Sequence, residues 1–129
     1  MINKNSKIFV AGHKGMVGSA ILRKLKILKY KKIFFQDRSQ LNLIDQKKVF
    51  KYLKKIKPDA VILAAAKVGG IQINNEKRAE FIFENLSIQN NVIDSSFKNG
   101  VKNLIFLGSS CVYPKKSKIP IKENYLLSN

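Results

Sequence analysis

Residues 7–20 read Lys7-Ile8-Phe9-Val10-Ala11-Gly12-His13-Lys14-Gly15-Met16-Val17-Gly18-Ser19-Ala20. Lys7–Ala11 is an apolar run ended by a glycine, which predicts a buried strand. From Gly15 to about Leu28, the apolar residues Met16, Val17, Ala20, Ile21, Leu25 and Leu28 fall at helical spacing. A strand that passes through Gly12-x-x-Gly15-x-x-Gly18 into a helix carries a variant of the dinucleotide fingerprint, one residue longer between its first two glycines. Gly12 permits a tight turn, Gly15 lets backbone approach a pyrophosphate, and Gly18 lets the helix lie close on the strand. The helix start then offers unpaired N–H groups and a positive dipole end to phosphate. The whole loop, Gly12, His13, Lys14, Gly15, Met16, Val17 and Gly18, is therefore expected to bind cofactor. A Walker-type phosphate loop is excluded, because no Gly-Lys-Ser/Thr closes the motif.

Outward from this loop, strand-like and helix-like runs alternate. Lys32–Gln36 predicts a second strand and is followed by a polar loop. Asp45 is placed to cap a helix that runs to about Ile56, with Val49, Phe50, Leu53 and Ile56 inward. Pro58-Asp59 ends that helix, and Ala60–Ala64 predicts a third strand. A longer helix is expected from about Ala79 to Lys98, stopped by Asn99-Gly100, and Asn103–Gly108 predicts a fourth strand. Apolar strands alternating with amphipathic helices give a parallel sheet covered on both faces. The expectation is one α/β domain over residues 1–129, a Rossmann-like doubly wound sheet in strand order 3-2-1-4. The last twenty or so residues hold no further βα unit, so the sheet is expected to be incomplete at its C-terminal side.

Composition narrows the function. Lys and Arg number 25 against 8 Asp and Glu, a formal charge of +17. The lysines are spread over the solvated faces of most segments and are not interleaved with aromatics, so nucleic acid is not the expected partner. Cys111 is the single cysteine and His13 the single histidine, which leaves no internal disulfide and no metal site to expect. No stretch approaches the roughly 18 apolar residues of a membrane helix. Residues 1–7 carry no apolar leader, so a cytoplasmic location is expected.

Charge also bears on which dinucleotide fits. The second strand ends in Gln36-Asp37-Arg38. A carboxylate here suits the ribose 2′-hydroxyl of NAD, and a cation suits the 2′-phosphate of NADP. Lys14 and Arg38 against Asp37 favour NADP, while Asp37 keeps NAD open. In parallel sheets, ligands bind at the carboxyl ends of strands. The third strand ends in Ala64-Ala65-Ala66-Lys67-Val68-Gly69-Gly70. Ala64, Ala65, Ala66 and Lys67 are placed against the cofactor, and Val68, Gly69 and Gly70 against a substrate. The alternative is simple tight packing. The fourth strand ends in Gly108-Ser109-Ser110-Cys111-Val112-Tyr113. Ser109 could polarise a substrate carbonyl and Cys111 could move a proton, or the two could be a structural serine and an inert buried thiol.

Four segments together resemble the extended short-chain dehydrogenases: the glycine loop, Leu41-Asn42-Leu43-x-Asp45, Ala64–Gly70 and Ser109-x-x-Val112-Tyr113. More narrowly, residues 11–19, 64–70 and 107–115 resemble the GDP-L-fucose synthase family, over nearly the whole chain. That resemblance implies NADP as cofactor and GDP-4-keto-6-deoxy-D-mannose, a GDP-sugar, as substrate. It implies epimerisation at two carbons beside a ketone, then hydride transfer to give GDP-L-fucose. Ser109 matches the family's carbonyl-binding serine, Cys111 its proton-transferring cysteine, and Lys14 and Arg38 its basic positions at the 2′-phosphate. Asn85 falls in the family's asparagine-containing helix and is expected to be structural. The family also uses a Tyr-x-x-x-Lys pair, which residues 1–129 do not contain; Tyr113 and Tyr125 are followed four residues on by Ser117 and Asn129. The chain is thus expected to be the N-terminal part of such an enzyme and inactive or nearly so alone; the alternatives are another extended short-chain dehydrogenase acting on a sugar nucleotide, or a non-catalytic dinucleotide-binding module. The family implies a homodimer, and the lack of an apolar span gives no membrane partner to expect.

Overall fold

The computed structural model describes residues 1–126. Its elements are β1 (Lys7–Ala11), α1 (Met16–Ile27), β2 (Lys32–Phe34), α2 (Gln46–Ile56), β3 (Ala60–Leu63), α3 (Ile71–Glu76), α4 (Arg78–Lys98) and β4 (Asn103–Phe106). Two short 3-10 turns, Ser110–Val112 and Glu123–Tyr125, follow. All strand pairings are parallel. The alternation of strand and helix is as expected, with α3 added. Residues 71–76 bury none of their side chains, so no apolar stripe announces that helix.

The Rossmann-like fold class stands, but the strand order is β2-β1-β3-β4, not 3-2-1-4. β3 pairs with β1, through Ile8↔Ala60, Phe9↔Val61, Val10↔Ile62 and Ala11↔Leu63. The physical reason lies in the strands themselves. β2 opens on the exposed Lys32 and buries none of its three residues, which suits an edge. Ala60–Leu63 is apolar throughout and nearly all buried, so it takes the place beside β1, with a strand on either side and helices over the sheet.

The sheet separates two clusters by the pleat. Ile8, Val10 and Ala60 face α1, where Ile21 and Leu25 pack on them. Phe9, Ala11, Val61 and Leu63 face the other way, onto Val49, Leu53 and Ile56 of α2 and Ile88 and Val92 of α4. The α1 stripe is shorter than its periodicity suggests, since Met16, Val17 and Leu28 are exposed. On α2, Phe50 is only half-buried, and Tyr52 meets the core instead, edge-on to Phe9 at 5.3 Å. Asp45 caps α2 as expected, its carboxylate accepting from the Lys48 amide at 3.0 Å. Asn99 and Gly100 close α4, with Gly100 at a φ of 72°. Among the described residues no helix is long and apolar enough to cross a membrane.

Candidate dinucleotide site

The carboxyl ends of β1, β2 and β3 open onto one cavity of about 250 Å³. β1 delivers Gly12 to its floor at a φ of 87°, where a side chain would be strained. The Gly15 amide donates to the Gly12 carbonyl at 3.0 Å and closes the turn. Ser19 N–H then donates to Gly15 O at 2.8 Å, the first bond of α1. No side chain caps this helix and no acidic residue stands in its first turn, so its first amides and positive end are left for an external anion. A Cβ on Gly15 would meet only the Gly12 carbonyl, at 3.4 Å, so this backbone stays open to a close-lying group. Gly18 does the opposite work, buried where α1 crosses the loop.

Nine of the expected cofactor residues line the cavity: Gly12, His13, Lys14, Gly15, Arg38, Ala64, Ala65, Ala66 and Lys67. Three do not. Met16 and Val17 sit exposed on the first turn of α1, where only their amides are placed to serve, and Gly18 is a packing residue. Val68, Gly69 and Gly70 lead into α3 outside the cavity. At Gly69 a Cβ would strike the Ile73 side chain and lie 3.0 Å from Phe81. Gly70 has nothing within 4 Å. Ser109 and Cys111 also lie outside the cavity, on the turn after β4, and both are exposed. Cys111 is therefore not a buried inert thiol. Its amide donates to Ser109 Oγ at 3.1 Å, which leaves the Ser109 hydroxyl proton free to donate elsewhere. Asn129, four residues after Tyr125, is outside the described residues.

Both cations expected at a 2′-phosphate already hold carboxylates. Lys14 Nζ is 2.8 Å from Asp37 Oδ2, and His13 Nε2 is 3.2 Å from Asp37 Oδ1. The His13 ring stacks tilted on Phe35 at 4.7 Å. Arg38 reaches Glu84 of α4 at 3.1 Å. Lys67 is more deeply committed, with its ammonium 2.6 Å from Glu84 and 3.1 Å from Glu80. The Lys67 peptide is bracketed by Asn85, whose Oδ1 accepts from Lys67 N at 2.7 Å and whose Nδ2 donates to Lys67 O at 3.0 Å. This bracket fixes the loop after β3 to α4 and gives Asn85 the structural part expected of it.

These pairings move the ionisations. The hydrogen bond from Lys14 holds the Asp37 carboxyl below the usual 3.8, against some opposing desolvation. The bond from Lys67 does the same for Glu84, with Arg38 assisting, and the Lys48 amide for Asp45. Glu84 and Glu80 in turn raise Lys67. A carboxyl lowered on folding contributes stability above its unfolded value and loses it as pH falls through the folded one. A lysine raised on folding contributes below 10.5 and loses it at higher pH. The unfolding temperature should therefore drop on acidification below about pH 4.5 and again above about pH 10.5. A thermal unfolding series from pH 7 to 3 on the parent and on Glu84→Gln checks this; the variant should lose part of the acid-side drop.

Among the cavity residues that sequence reasoning did not assign to the site are Leu43, Glu84 and Ile88. Leu43 had a signal, in the Leu41-Asn42-Leu43 string. Glu84 had none, because a lone glutamate 46 residues from Arg38 reads as a solvated helix position.

The fold and this cavity define a doubly wound α/β chain of the Rossmann type, with its ligand crevice at the strand ends beside β1. The chain belongs to the NAD dependent epimerase/dehydratase family, whose model matches residues 8–129. It is 52% identical to a putative GDP-L-fucose synthase 2 of Arabidopsis thaliana over 128 residues, which is 99% of this chain and 39% of that protein. It is 46% identical to the GDP-L-fucose synthase of Escherichia coli over 121 residues, 94% of this chain and 38% of that one. Among solved structures, a GDP-D-glycero-L-gluco-heptose synthase from Campylobacter jejuni, crystallised in the presence of NADPH, superposes with a TM-score of 0.91 at 44% identity. It covers 98% of this chain and 37% of its own. The chain thus spans about two fifths of the length of the curated relatives it matches.

Proposed function

We propose that this chain is the NADP-holding part of a cytoplasmic nucleotide-sugar epimerase–reductase that converts GDP-4-keto-6-deoxy-D-mannose to GDP-L-fucose. The observation that carries the reading is the uncapped glycine turn Gly12–Gly18, opening onto a cavity with Lys14 and Arg38 at its rim. The family and the named relatives support the sugar chemistry. Family membership also supports a homodimer for the whole enzyme.

The residues present fit a dinucleotide. The Gly12–Gly15 turn and the first amides of α1 would hold the pyrophosphate, and Ala64–Ala66 would let a flat ring system lie against backbone. Lys14 and Arg38 would receive the 2′-phosphate. When bound, NADPH supplies the hydride that reduces a sugar ketone. Ser109, with its hydroxyl proton free, would donate a hydrogen bond to the substrate carbonyl oxygen and draw charge onto it. Cys111, exposed two residues on, would carry a proton to or from the carbon beside that carbonyl. A second reading keeps the GDP moiety and changes the sugar to a heptose, on the strength of the 44% identical heptose synthase.

Thermal unfolding with NADPH, NADH or neither tests the cofactor reading. A ligand that binds only the folded chain adds about 2.7 kcal/mol at about 100 Kd. NADPH should raise the midpoint, and more than NADH does. A chain that unfolds cooperatively and shifts with neither nucleotide would overturn the proposal.

A further inference from the structure

A second cavity, of about 350 Å³, lies between α2 and α4 and shares no lining residue with the first. Gln46, Lys47, Phe50 and Lys51 line it from α2, and Asp94 and Lys98 from α4. Its walls are fixed by the fold. Asn91 Nδ2 donates to the carbonyls of Leu43 at 3.0 Å and Ile44 at 2.8 Å, which ties α4 to the chain entering α2. Val49 and Leu53 of α2 share a core cluster with Val92 of α4. Two features of this groove have no part in folding. Phe50 is half-buried yet packs on neither core cluster. Lys48 and Lys98 reach carboxylates, Asp45 at 3.5 Å and Asp94 at 2.9 Å. Lys47 and Lys51, one helical turn apart on the same face, form no ion pair among the described residues.

We infer that this groove is a second ligand site, which takes a nucleoside phosphate. Lys47 and Lys51 hold the phosphate as two unpaired point charges. Phe50 gives the base a flat apolar face to stack on. Lys98 is bonded to Asp94 Oδ2, so Oδ1 is left to accept an N–H from the edge of the base, and the Gln46 amide adds a donor and an acceptor. A simple inorganic anion would use the lysines alone and would be opposed by Asp94. An acidic peptide segment would meet the same opposition and bring no ring to Phe50. The ligand that engages every wall of the groove therefore carries both an anionic group and a flat ring with N–H donors. The site does not depend on the dinucleotide reading of the first cavity.

The test is a two-dimensional amide NMR titration of the nitrogen-labelled chain with GMP and, separately, with inorganic phosphate. GMP should shift the amides of Gln46–Lys51 and Asp94–Lys98 together and saturably, with a Kd of about 0.1–1 mM. Inorganic phosphate should bind there at least about tenfold more weakly, because it has no base to stack. Lys47→Gln combined with Lys51→Gln should weaken GMP by about tenfold, and Phe50→Leu by a similar factor. GMP that shifts no amide, or only those of the Gly12–Gly18 turn, overturns the inference. So does inorganic phosphate that binds as tightly as GMP, or a lysine variant that stays within about twofold of the parent. Both lysines are exposed and bond nothing, so that variant keeps the fold, and its own amide spectrum reports it. Should Phe50→Leu unfold, the lysine variant and the phosphate comparison decide. The two cavities report through different amides, so failure at the groove leaves the dinucleotide reading standing.

Discussion

Gly18→Ala is expected to lower NADPH affinity by about 100-fold and to destabilise the chain, although alanine is the better helix former by about 1 kcal/mol. A Cβ at Gly18 would fall inside contact distance of the Gly12 carbonyl oxygen, 2.7 Å from the Gly12 carbonyl carbon and 3.1 Å from His13 Cα. Each of these atoms is backbone of the turn that would cradle the pyrophosphate, so no side chain can swing aside. α1 would have to lift away from the loop. Overpacking of this kind costs about 1–3 kcal/mol, which outweighs the gain in propensity. Displacing the turn by about 1 Å disrupts every contact it positions. Thermal unfolding and NADPH titration of Gly18→Ala check both effects. Gly70→Ala is the control, since a Cβ there meets nothing within 4 Å and should leave binding unchanged. A Gly18→Ala chain that binds like the parent and melts higher would refute the close-packing role.

The second large effect is expected from Lys14→Ala combined with Arg38→Ala. A hydrogen bond to a charged group contributes about 1.5–3 kcal/mol. Both side chains are largely exposed, at 73% and 69%, so the low end applies to each. Two such losses weaken NADPH by about 100-fold. NADH has no 2′-phosphate for them to hold, and its dissociation constant should move by less than about twofold. Exposed ion pairs add little to folding, so the unfolding temperature of the unliganded variant should hold near that of the parent. Titration with both nucleotides reads the difference directly. Equal weakening of the two would mean that these cations act on the shared pyrophosphate and not on the 2′ position.

Half of the cavity lining was legible because its information is local. The glycine spacing, the strand before it and the helix after it are neighbours in the chain, and each glycine's task follows from turn geometry. Ala64–Ala66 were legible by the same logic of strand ends. The packing around Gly69 was not legible, because its neighbours, Ile73 and Phe81, reach it only once α3 and α4 have folded back over the loop. Glu84 was not legible at all. Its meaning comes from Arg38 and Lys67, which approach it from two different loops.

The strand order shows the same division at the scale of the sheet. Local periodicity predicts four strands and three helices without saying which strand lies next to which. The buried apolar character of Ala60–Leu63, set against the exposed and shorter β2, was available in the residues, yet it becomes an ordering only when the two compete for the place beside β1.

By itself, then, the sequence determined the parallel α/β class, the glycine turn and the basic character of its rim, because hydrophobic period, glycine conformational freedom and charge are properties of short segments. Only the tertiary structure decided that β3 flanks β1, that Asp37 is gripped by Lys14 and His13, and that Arg38 and Lys67 share Glu84. The side-chain contacts among these join residues 17 to 46 positions apart, and their formation depends on packing that no local pattern encodes.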